Sequence, residues 1–372
     1  SVPATAAEYA SSIIATGLNN PRGLAFGPDG ALYVAESGFV QTGGPTISLN
    51  RGPVSHTFHV SSTGSITRIF EGSQSRVITG LPSIGSLTVS ETTGPQDIAF
   101  GPDGTGYFVV GFVTDPAARA GLGPLGPSFG QVFTFSGSTF TPFSDVAALE
   151  SSNPAGRELN SNPYHLAAVT GGLLVTDAGS NTLVRVNSAG AASNVATFPA
   201  RNIIPSMLTD AVPTRVALGP DGNYYVAELT GVPFAQGSAQ IYRVTPAGVV
   251  TVAFTGFTNI GDIAFGPDGS LYVLQLDSNG LATPPAGGSL LRVAMDGSRQ
   301  TIFSQGLITP TGLEIGRDGA FYITNFSAAE RVGQVLRIAA VPEPGTWAMM
   351  LIGFGAVGAA IRRQRKRELA AA

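Results

Sequence analysis

One unit recurs six times along the chain and leaves little freedom in what it can fold into. It reads PRGLAFGPDGALYVAE at 21–36, PQDIAFGPDGTGYFVVG at 95–111, PYHLAAVTGGLLVTD at 163–177, PTRVALGPDGNYYVAE at 213–228, IGDIAFGPDGSLYVLQ at 260–275 and PTGLEIGRDGAFYITN at 310–325. In each, a short apolar strand meets a turn and a second strand follows. Pro presets φ near about −65°, Asp bonds its own backbone and Gly accepts the left-handed geometry, so Gly-Pro-Asp-Gly reverses the chain tightly. The turn aspartates are therefore structural, because they recur wherever the chain must reverse. With Ala25, Ala99, Ala167, Ala217, Ala264 and Glu314 as equivalents, the spacings are 74, 68, 50, 47 and 50 residues.

A repeat of about 50 residues has room for four strands. A third strand follows each hairpin, as in SITRIF at 65–70, QVFTF at 131–135, TLVRVNSAG at 182–190, QIYRVTPAG at 240–248, SLLRVAMDG at 289–297 and QVLRIAA at 334–340. A fourth, outer strand follows in most repeats, at 75–81, 193–198, 249–257 and 299–307. The sixth repeat runs instead into Val341-Pro342-Glu343-Pro344, and residues 12–16 near the N-terminus have the form of the missing outer strand. The fold expected is all-β: a six-bladed β-propeller over residues 8–340, closed by pairing that N-terminal strand with the third strand of the sixth repeat. A β-sandwich explains the strands but neither the recurring hairpin nor the permuted end strand.

The first two repeats carry Gly- and Pro-rich insertions at 37–63 and 112–130, and 144–161 has room for a helical turn. Long loops of this kind serve recognition or wrapping. Charged residues make up only 12% of the chain and there is no cysteine, which excludes a disulfide scaffold, a thiolate metal site and a cysteine nucleophile. Without residues 341–372 the chain holds 15 basic and 22 acidic side chains, an acidic body with no reason to bind nucleic acid. No Gly-x-Ser-x-Gly elbow leads into a helix, so serine hydrolysis has no support.

Residues 346–361 form an uncharged apolar run, followed at once by Arg362, Arg363, Arg365, Lys366 and Arg367. The run is slightly short for a bilayer, which takes about 17–20 residues, but snorkelling arginine extends it. The basic end would face the cytoplasm and the body the outside. A helix packed on a soluble body is the alternative, though it would not need five cations directly after it. Pro342, Glu343 and Pro344, then the apolar run, then the basic end, resemble the PEP-CTERM sorting signal of Gram-negative bacteria. The resemblance implies a C-terminal transmembrane sorting helix within a signal at 341–372, processing by an exosortase, transient anchoring in the inner membrane, and a final place at the cell surface or outside the cell, with a link to the biofilm matrix. A start without Met fits a chain whose signal peptide has been removed, and Ser1–Ala7 reads equally as a remnant of one.

The repeated unit resembles NHL and SMP-30/gluconolactonase propellers, and with the tail the chain is similar to the ScyD/ScyE family of scytonemin-cluster-type proteins. That family implies no established catalytic chemistry. In such a ring, equivalent positions face one axis. The residues closing the second strands include Glu36, Asp177, Glu228, Gln275 and Asn325, an all-oxygen set suited to Ca²⁺ rather than Zn²⁺. The gluconolactonase resemblance implies a divalent metal on Glu36, Asp177, Glu228 and Asn325; otherwise these side chains cap turns. A second ring near the start of the first strands offers Asp97, His165, Arg215 and Asp262, with His165 as general base and Arg215 as anion holder, or all four as loop supports. The function expected is an exported binding or scaffold module for polysaccharide, peptide or another surface protein. The rivals are a metal-dependent lactonase or lyase with an axial site, and an accessory protein in pigment or other small-molecule biosynthesis or export.

Overall fold

The computed structural model describes residues 8–89, 91–205, 207–281 and 285–341. The expected transmembrane helix at 346–361 and the sorting residues Pro342, Glu343 and Pro344 lie outside them. Among the described residues no helix is long and apolar enough to cross a membrane.

The chain is all-β, and each repeat builds one antiparallel sheet whose first strand is innermost. The second sheet is Pro95–Phe100, Gly106–Val110, Gln131–Ser136 and Thr139–Asp145; the third is Pro163–Val169, Gly172–Asp177, Thr182–Asn187 and Ala192–Thr197. The fourth is Pro213–Leu218, Tyr224–Glu228, Ala239–Val244 and Val250–Phe257; the fifth is Ile260–Phe265, Leu271–Gln275, Ser289–Val293 and Arg299–Phe303. The sixth holds Leu313–Ile315, Phe321–Asn325 and Gly333–Ala340, and its outer strand is Tyr9–Leu18 from the N-terminus. Ser12 faces Arg337, Ile13 faces Leu336 and Ala15 faces Val335, the pairing read from the sequence.

The innermost strands pack side by side in sequence order, and the sixth, Leu313–Ile315, returns to Pro21–Phe26 of the first. No sheet of the described residues closes on itself; neighbours meet face to face instead. Apolar side chains fill each of the interfaces. Ala15, Leu18 and Val335 meet Leu24, Leu32 and Val34 where the last sheet adjoins the first. The join between first and second sheets is the most aromatic, with Phe58 fully buried and Phe108 stacked on Phe133 at 5.0 Å.

The insertions carry more structure than their glycine and proline content suggests. Thr46–Arg51 and the start of Val54–Phe70 form a hairpin that extends the first sheet, which runs on through Ser73–Ser86 to Glu91–Thr93. The second insertion folds into the 3-10 helices Pro116–Gly121 and Gly123–Ser128, and Ala147–Ser152 supplies the expected helical turn. A further hairpin, Arg201–Ile204 with Met207–Thr209, precedes the fourth sheet.

Candidate functional site

The recurring turns behave as the sequence implies. Asp29, Asp103, Asp221, Asp268 and Asp318 each accept the backbone N–H two residues on, at 3.0–3.2 Å. Four of them also hold an arginine from the third strand: Arg68 on Asp29, Arg243 on Asp221, Arg292 on Asp268 and Arg337 on Asp318, at 2.6–2.8 Å. These pairs lie at the surface, one per sheet, and share no site.

At the opposite end of the second strands stand the residues considered as metal ligands. Each is buried and each is spent on its own sheet. Glu36 accepts Asn19 N–H at 2.6 Å, the Thr67 hydroxyl at 2.5 Å and the Arg76 guanidinium at 2.8 Å. Asp177 accepts the Ser161 hydroxyl and Asn162 N–H at 2.6 Å, with Gly179 and Ser180 N–H at 3.0 Å. Glu228 holds Arg201, Gln240 N–H and the Tyr242 hydroxyl, and Asn325 accepts Ile308 N–H at 2.7 Å. Gln275 does the same for Thr258 N–H at 2.7 Å. Glu228 takes its donors from the third strand and Arg201; the other four side chains hold the segment by which the chain enters their sheet.

The four residues thus sit in four sheets, and no group of three or more His, Asp or Glu among the described residues stands close enough to share a metal ion. A donor set for Ca²⁺ needs several oxygens converging on one point. The residues present do not fit that group, because strand ends turn these side chains back towards their own loops.

The second ring does converge. The third residues of the first five innermost strands are Gly23, Asp97, His165, Arg215 and Asp262, and Gly312, just before Leu313–Ile315, is the equivalent in the sixth repeat. His165 Nε2 lies 3.1 Å from Asp97 Oδ2, Arg215 Nε lies 2.6 Å from Asp262 Oδ1, and Arg215 Nη1 lies 3.8 Å from Asp97 Oδ1. Gly23 is required here, since a Cβ on it would fall 1.7 Å from Asp97 Oδ1. Three members also reach forward to the next sheet. Asp97 accepts Leu166 N–H at 2.8 Å, His165 Nδ1 accepts Val216 N–H at 3.2 Å, and Asp262 accepts Leu313 N–H at 2.6 Å. Ser37 on Pro95, Thr214 on Ile260 and Thr311 on Pro21 make the remaining links through carbonyl oxygens. Every pair of neighbouring sheets is therefore stitched near the axis by a side chain.

Burial sets the proton affinities of this cluster. It pushes Asp97 up to about 6 against the pull of Arg215, and drives Asp262 well above the usual carboxylate range, again with Arg215 opposing. It also drives His165 well below the usual imidazole range, with Arg215 adding to the shift. His165 is neutral, and the lone pair a general base would use already accepts the Val216 N–H. Arg215 lies against two carboxylates, so it has little charge to offer an anion.

Glu314 stands beside this cluster without belonging to either ring read from the sequence, where it is the counterpart of five alanines. The signal was available: one carboxylate stands in a ring position that is otherwise Ala25, Ala99, Ala167, Ala217 and Ala264. Burial pushes it up to about 7, with Arg215 pulling down and Asp97 adding.

A larger hollow of about 650 Å³ opens on the face away from the turns. Ser48, Asn50 and Arg51 of the first insertion, Arg157 and Asn160 of the second repeat's extra segment, and Asn181 of the third sheet are among its walls. Arg51 is paired with Glu91 at 2.6 Å and Arg157 with Asp210 at 2.8 Å.

Comparison with known proteins places the two ends of the chain differently. Residues 340–366 match the PEP-CTERM protein-sorting motif. That motif implies export, a C-terminal membrane anchor in Gram-negative bacteria and processing by an exosortase. No curated protein matches the chain. A gluconolactonase from Xanthomonas campestris is similar in structure, with 11% identity over 89% of this chain and 90% of its own and a TM-score of 0.54. A glucose dehydrogenase is similar at 15% identity, covering 89% of this chain and 100% of its own, TM-score 0.52. The soluble aldose sugar dehydrogenase of Escherichia coli in its apo form is similar at 14% identity, covering 90% and 100%, TM-score 0.51. Likeness at this identity is likeness of fold, which is propeller-like.

Proposed function

We propose that the six sheets are the blades of a six-bladed β-propeller spanning residues 8–340, exported with its sorting signal at 341–372 and acting outside the cell as a binding module. The observation that carries this reading is the convergence of the inserted segments on one polar cleft. What the repeats need for folding is shared among them; what is added to the first two walls a cavity of about 650 Å³. Its arginines are paired within the protein, Glu158 is the lining carboxylate outside those pairs, and Ser48, Asn50 and Asn160 offer uncharged donors and acceptors. Such a surface suits a neutral, hydroxyl-rich ligand, which places polysaccharide ahead of a charged peptide.

The rival reading, a metal-assisted lactonase, has the fold of the Xanthomonas enzyme in its favour and the residues against it. The oxygen ligands do not gather, and His165, Asp97 and Asp262 are committed to joining sheets. Titrating the purified full chain in detergent against neutral and acidic polysaccharides separates the two. Binding to a neutral glycan should weaken about tenfold, equivalent to 1.4 kcal/mol, in Asn50→Ala and Asn160→Ala at unchanged Tm. Lactone hydrolysis above background that is lost in Asp97→Asn would replace the binding reading with the enzymatic one.

A further inference from the structure

The stitching at the axis leaves one carboxyl unused. Glu314 is reached only by the charges of Arg215 and Asp97, and no described residue donates it a hydrogen bond. It lines a cavity of about 380 Å³ on the turn side of the axis, to which all the innermost strands contribute.

The strand positions grade this cavity from outside to inside. Phe26, Phe100, Leu218 and Phe265, next to the turns, form a collar. Phe26 meets Tyr322 edge-on at 5.0 Å and Phe265 meets Tyr225 likewise at 5.0 Å, which fixes the rings. One residue further in, the five alanine methyls make a slender neck with Glu314 as its sixth member. Beyond it His165 and Arg215 close the inner end.

The charges there favour a cation. Above pH 7 the ionised Asp97 and Glu314 outnumber the single cation Arg215, and His165 is neutral. What Glu314 lacks is a donor, and the alanine methyls beside it leave room for one carried on an unbranched apolar stem.

We propose that this pocket binds a primary alkylammonium group on an unbranched chain, with the ammonium against Glu314 and the methylenes in the alanine neck. It lies on the opposite face from the polar cleft and does not depend on it. A lysine side chain of a partner and a free aliphatic amine share this chemistry. Because Glu314 is held up at about 7, it is mostly protonated at pH 6 and mostly ionised at pH 8, so the site weakens as pH falls.

The test is calorimetric titration of the full chain in detergent with n-butylamine, cadaverine, Nα-acetyl-lysine amide and, as a neutral control, n-butanol. n-Butylamine should bind at pH 8, about tenfold more weakly at pH 6, and at least about tenfold more weakly to Glu314→Gln at unchanged Tm. Ala264→Leu, which fills the neck, should abolish binding, and Asn160→Ala in the distant cleft should leave it intact. Preference for the lysine amide identifies a peptide side chain and preference for cadaverine a free diamine; both support the site. No uptake of n-butylamine at 10 mM, equal affinity in Glu314→Gln, or equal binding of n-butanol overturns it.

Discussion

Asp29, Asp221, Asp268 and Asp318 occupy the hairpin turns, and Asp97 and Asp262 the axis; the two groups hold their protons in opposite ways. At the turns the carboxylates are half-exposed, and hydrogen bonds from arginine and backbone outweigh what desolvation there is. For Asp221 burial raises the pKa, but Arg243 and Asn223 prevail and hold it at about 2. At the axis burial prevails, and Asp97 rises to about 6 although Arg215 lies nearby. A turn in water can be solved the same way in every repeat. An axis cannot, because six positions meet there and share one cation, so the repeats diverge into Gly, Asp, His, Arg, Asp and Gly.

Removing the cation should separate the two regions most. Arg215→Met leaves Asp97, ionised at pH 7, buried without a counter-charge and should cost about 3 kcal/mol there in urea denaturation, the low end for a broken buried pair. The loss should shrink towards pH 5 as Asp97 takes up its proton. The corresponding turn substitution, Arg243→Met, should cost far less, and what it costs should be masked by salt. Equal losses would mean that the axial cluster is as hydrated as the surface.

The pH dependence of stability sharpens the contrast. A carboxyl with a raised folded pKa binds more protons folded than unfolded, so its contribution is full below an unfolded pKa of about 3.9 and is lost as pH rises through the folded value. For Asp97 that window runs up to about 6. Asp97→Asn should therefore flatten the decline in stability between pH 4 and pH 7, measured by urea midpoints. Asp221 has the opposite sign: its contribution is present above about 3.9 and is lost as pH falls towards about 2. Asp221→Asn should remove part of the acid-side loss and cost about 0.5 kcal/mol at pH 7, the smallest effect of the set.

The residues that repeat were legible from sequence and the residues that do not were harder. The hairpins, the third strands and the pairing of Ile13 with Leu336 follow from local turn chemistry and alternation. The gathering of Asp97, His165, Arg215 and Asp262 followed too, because equivalent positions on packed inner strands face one axis. Thr46–Arg51 was hidden by the Gly and Pro around it, although its partner strand alternates, and Thr139–Asp145 by the short Gly137 turn before it. Glu36, Asp177, Glu228 and Asn325 share a strand position that suggests a ring. Their direction depends on nearby donors that need acceptors, backbone N–H groups of the entry loops for Glu36, Asp177 and Asn325 and third-strand groups for Glu228, and sequence spacing does not show that.

Joining of the N-terminal strand to the last sheet can be tested directly, since the chain has no cysteine of its own. Ser12→Cys and Arg337→Cys lie directly opposite. Under mild oxidation they should form an intramolecular disulfide, detected as a mass loss of about 2 Da in monomer, while Ser12→Cys with Leu336→Cys, whose side chains point to opposite faces, should stay reduced. Free thiols or dimers in the first pair, or equal cross-linking in both, would contradict the closure on which the axis depends.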